Sequence, residues 1–80
     1  MKIQVVAFGI ARDILQGTTQ EIALGSSSKI SDLKDVLMKE YPAFSELRSL
    51  RFAVNEEYQD DDFELKETDE VVIIPPVSGG

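Results

Sequence analysis

Hydrophobic residues alternate along Ile3, Val5 and Ala7, with Lys2, Gln4, Val6 and Phe8 between them. Period-two patterning predicts a β-strand over 2–8, with its odd-numbered side chains facing inward. The other face starts polar and turns apolar at Val6 and Phe8. Gln16-Gly17-Thr18-Thr19 is a turn signal. Gln20 to Leu24 reads as a returning strand, so a hairpin with a long loop is expected. Gly25-Ser26-Ser27-Ser28 ends that strand. Ile30, Leu33, Leu37 and Tyr41 then recur at helical spacing, and Val36 widens the stripe. Ser28 is the expected N-cap, with Ser31 as the alternative. Pro42 disfavours helical geometry at Tyr41, so the helix is expected to end there.

Phe44 and Leu47 are the expected core contributors of the next segment. Arg51 to Asn55 predicts a third strand, with Phe52 and Val54 on one face. Asn55-Glu56-Glu57 turns, and Tyr58 begins a short fourth segment. Asp60-Asp61-Asp62 reads as a polar bend anchored by Phe63 and Leu65. Glu67-Thr68-Asp69-Glu70 turns again before a last strand, Val71 to Ile74. The order β-β-α-β-(β)-β predicts an α+β roll: a single domain over 1–80, with one main helix packed on one face of a mixed sheet. The last strand is the most continuously apolar, which suits a central position, parallel to the first strand. The same parity places Val6, Phe8, Val72 and Ile74, with Tyr58, on the face away from the helix. An apolar patch is therefore expected there, suited to a protein partner.

Composition narrows the chemistry. The 80 residues include no cysteine and no histidine, and the formal charge is −7. Disulfides, thiolate metal sites, cysteine nucleophiles and Ser-His-Asp arrangements are excluded. The acidic balance disfavours nucleic acid. No apolar run is long enough to span a membrane, and no signal peptide is recognisable, so a cytoplasmic location is expected. Asp60-Asp61-Asp62-Phe63-Glu64-Leu65 lacks the glycine that a calcium loop of the EF-hand type needs at its sixth position. Gly9 and Gly17 are isolated, so no phosphate loop is present. Neither a metal site nor a bound cofactor is expected. Arg12 suits an acidic partner residue or, equally, a solvated loop.

The remaining candidate is the chain end, Pro75-Pro76-Val77-Ser78-Gly79-Gly80. At ordinary glycine usage a terminal Gly-Gly occurs by chance in about 0.5% of chains. The prolines favour polyproline II, which extends with little entropy to lose, and six residues reach roughly 20 Å. Ser78, Gly79 and Gly80 suit a tunnel too narrow for larger residues. Phosphoanhydride activation by a partner would turn the Gly80 carboxylate into an acyl adenylate, open to a sulfur or amine nucleophile. The alternative is a frayed terminus.

These residues resemble a known family. Phe8-Gly9-Ile10-Ala11-Arg12-Asp13, Ala53-Val54-Asn55, Asp69-Glu70-Val71 and the terminal Pro75-Pro76-Val77-Ser78-Gly79-Gly80 are similar to stretches of molybdopterin synthase small subunits. Thr68 stands where that family often has glycine. The resemblance implies a β-grasp, ubiquitin-like fold and a sulfur-carrier role without an active site of its own. A ubiquitin-activating-type enzyme, consuming ATP, would adenylate Gly80. A sulfur donor protein would convert the adenylate to a thiocarboxylate. The tail, Pro75 to Gly79, would insert into the large synthase subunit of a heterotetramer, where sulfur passes to precursor Z (cyclic pyranopterin monophosphate). Phe8, Arg12, Tyr58, Val72 and Ile74 are the expected interface residues. The other readings are a sulfur carrier of thiamine biosynthesis, a ubiquitin-like modifier and a plain interaction domain.

Overall fold

The computed structural model describes residues 1–46 and 50–74. Leu47 and the tail residues Pro75 to Gly80 lie outside them. Five strands, β1 (Lys2–Ala7), β2 (Thr19–Ala23), β3 (Arg51–Val54), β4 (Glu57–Gln59) and β5 (Glu70–Ile74), form one sheet in the order β2-β1-β5-β3-β4. β1 and β5 run parallel at its centre, and the other pairs are antiparallel. The main helix, α2 (Ile30–Glu40), buries Ile30, Leu33 and Leu37 in the core. Phe44, in a 3-10 turn at Pro42–Glu46, is fully buried and meets the Tyr41 ring edge-on. This is the expected β-grasp arrangement, with the expected central last strand.

The strand parity is also as expected. Ile3, Val5, Ala7, Val71 and Ile73 are completely buried beneath the helix, together with Phe52 and Val54. Each fully buried large aliphatic side chain contributes about 1.5–3 kcal/mol relative to exposure, so these positions carry much of the fold.

Two local expectations fail for identifiable reasons. The segment after β1 is not a long loop but a helix, α1 (Gly9–Leu15), entered through Gly9 at φ 56° and closed by Gln16 at φ 62°. Ala11 and Leu15, one turn apart, bury against the core. A seven-residue helix is too short to be stable alone, so tertiary packing holds it.

The N-cap of α2 is Lys29 rather than Ser28 or Ser31. Its backbone N–H donates to the Asp32 carboxylate at 2.8 Å. The Ile30 and Ser31 N–H groups donate to the carbonyls of Phe63 and Asp61, each at 3.0 Å. The polar bend thus caps the helix with its own backbone, and Ser28 instead donates its hydroxyl to the Gly25 carbonyl at 2.7 Å. Leu65 anchors that bend in the core and Phe63 packs against it half-buried, as expected.

Candidate functional site

The pairing registers define what the sheet presents on the face away from α2. Val6 lies opposite Val72, Val72 opposite Ala53, and Ala53 opposite Tyr58. Cross-strand partners share a face, so Val6, Val72, Ala53 and Tyr58 form one row across four strands. The next row holds Ile74 and Arg51, which face each other across β5 and β3. Phe8 follows Ala7, which is opposite Ile73. Its backbone is still extended at φ −132° and ψ 162°, so it continues that row on the other side of Ile74.

Four of the five sequence-predicted interface residues, Phe8, Tyr58, Val72 and Ile74, are thereby brought to one face. Val6, Val72 and Ile74 are half-buried and do not pack on the core. Phe8 is 56% exposed and Tyr58 64% exposed, although both are large and apolar. On a monomer this arrangement leaves unfavourable apolar surface in water, which a docked partner removes. Arg12 does not lie on these sheet rows. It is exposed on α1, and its carbonyl accepts the Gly17 N–H at 3.2 Å.

Ile74, in the second row, is the residue from which the sequence continues into Pro75. The apolar face therefore sits at the root of the chain end. The residues expected to carry the chemistry, Gly80 with Pro75, Pro76, Val77, Ser78 and Gly79, lie outside the described residues.

Sequence reasoning missed Arg51, which faces outward beside Ile74 and is exposed. The signal existed in its parity with Ala53, but only the β3–β5 register shows what stands next to it. Two of the short motifs, distant in sequence, also meet in space. The Asn55 side-chain amide donates to the Asp69 carboxylate at 2.9 Å, and the Glu70 N–H donates to the Asn55 side-chain oxygen at 3.1 Å. Asp69, itself buried, also accepts the Lys66 N–H at 2.9 Å. This clamp fixes the turn that launches β5 and ties it to the β3–β4 hairpin turn. Among the described residues no group of three or more acidic, histidine or cysteine side chains is arranged to hold a metal ion.

Comparison with known proteins agrees with this architecture. The model of the ThiS family matches residues 5–80. A molybdopterin synthase sulfur carrier subunit of Chlamydomonas reinhardtii is 37% identical over 83 aligned residues that span both chains completely. A solved structure described as molybdopterin converting factor subunit 1 of Pyrococcus furiosus superposes with a TM-score of 0.88 at 29% identity, covering 96% of this chain and 99% of that one. In a Helicobacter pylori complex of subunits 1 and 2 of the molybdopterin-converting factor, a chain is matched with a TM-score of 0.69 at 25% identity over the full length of both. The chain belongs to the ThiS family and, within it, is a relative of the molybdopterin synthase sulfur carrier subunits.

Proposed function

We propose that this chain is the sulfur carrier of a molybdopterin synthase, with Gly80 as the group that carries sulfur. The apolar face rooted at Ile74 supports this reading most directly, because it offers a partner a grip beside the start of the tail. In this reading the small and proline residues of Pro75 to Gly79 serve as a narrow lead to the reacting end. An adenylating partner joins the Gly80 carboxylate to AMP at the expense of ATP, releasing pyrophosphate. A sulfur donor then displaces AMP and leaves a thiocarboxylate. The large subunit accepts the tail, and sulfur passes to precursor Z. The chain itself binds no cofactor in this scheme. Its residues present, orient and dock one reactive end, in the cytoplasm, and the assembly is a heterotetramer of small and large subunits. The Helicobacter pylori complex of subunits 1 and 2 is consistent with a large-subunit partner here.

Intact-mass measurement tests the carrier step. After incubation with ATP, an activating enzyme and a sulfur donor, one terminal oxygen is replaced by sulfur, and a chain lacking Gly80 shows no change. A full-length chain whose mass stays constant under conditions that charge a related carrier overturns the reading. Adding the large subunit and precursor Z then separates this role from thiamine chemistry, since only the molybdopterin carrier yields the dithiolene product.

A further inference from the structure

Arg51 stands where an apolar docking face has no evident use for a charge. It lies directly opposite Ile74, on the same face as Val72, Ala53 and Tyr58. The register that pairs Phe52 with Gln59 brings Asp60 to the neighbouring position on its other side. Arg51 and Asp60 nevertheless form no ion pair. They rim an open cleft of about 560 Å³ that Phe52 and Tyr58 also line. The ion pairs among the described residues are Lys2–Glu21 and Lys34–Asp61, so Arg51 has no acidic partner among those residues.

A partner that covers Ile74 also covers the residue facing it. Docking therefore strips water from the Arg51 guanidinium, and a desolvated charge left unpaired opposes binding. The guanidinium is planar, with donors in a fixed fork that matches a carboxylate in two-point contact. Because Arg51 flanks the tail's root, its counterpart lies beside the place where the tail enters the partner. We propose that Arg51 is a specificity contact: it pairs with a carboxylate on the tail-accepting protein, at the rim of the channel that takes the chain end. A surface with the right apolar shape but no acid at that point is rejected. This inference rests on the docking face assigned above.

Titrating the full-length chain and its variants against the large subunit, at low and high salt, tests it. Arg51→Leu is expected to bind about tenfold or more weakly and to lose part of the salt dependence seen with the native chain. Arg51→Glu is expected to bind more weakly still, and Arg51→Lys to fall between native and Leu. Phe8→Ser reports on the face itself. If Phe8→Ser weakens binding while Arg51→Leu binds as tightly as the native chain or more tightly, the face stands and the carboxylate contact is overturned. If neither variant weakens binding, both are overturned. Arg51 is exposed, and unchanged unfolding midpoints separate these outcomes from misfolding.

Discussion

At Asn55 and Glu56 the backbone takes φ values of 49° and 75°. Two consecutive left-handed residues between paired strands make a type I′ turn, the hairpin turn whose twist matches the sheet. Asparagine tolerates that conformation; glutamate does so at a cost of about 1 kcal/mol or more. Glu56→Gly is accordingly expected to raise stability by about 1 kcal/mol in urea unfolding. Asn55 does more than turn the chain, since it bonds both the Asp69 carboxylate and the Glu70 N–H. Removing its side chain leaves the buried Asp69 carboxylate without one donor. Asn55→Ala is expected to cost about 1–3 kcal/mol. Asp69→Ala is expected to cost a similar amount, and the double variant less than the sum, because the two residues share one network.

Among the elements, α1 shows where local pattern fails and packing decides. Ile10, Ala11, Ile14 and Leu15 carry helical spacing, but the helix from Gly9 to the Gln16-Gly17 stop has only seven residues, a stretch that reads equally well as loop. The helix exists because Ala11 and Leu15 reach the core. Leu15→Ala is expected to destabilise the chain by about 2–5 kcal/mol, with hydrogen exchange rising first in α1. The α2 cap was illegible for a related reason: its acceptors are the backbone carbonyls of Asp61 and Phe63, some thirty residues downstream. Strands behave differently. Side-chain parity is a local property with period two, so the inward set Ile3, Val5, Ala7, Val71 and Ile73 and the outward set Val6, Phe8, Val72 and Ile74 were both readable before any fold was known. The neighbours of Arg51 were not, because register is a property of pairs.

For the molecule as a whole, division of labour follows from its two sheet faces. One face with α2 supplies stability, and the other presents Phe8, Tyr58 and Ile74. Phe8→Ser and Tyr58→Ser are therefore expected to leave the thermal midpoint nearly unchanged while weakening partner binding, as read by calorimetric titration. The position of β5 carries a further consequence, for biosynthesis. The last strand in the chain is inserted between β1 and β3, so the sheet cannot close until that strand has left the ribosome. Truncation after Ile74 is expected to give a folded but uncharged protein, whereas truncation after Glu70 gives an unfolded one, distinguishable by circular dichroism and protease resistance. A chain interrupted within β5 is thus expected to be cleared by proteolysis, so that only chains reaching the end of that strand persist as folded protein.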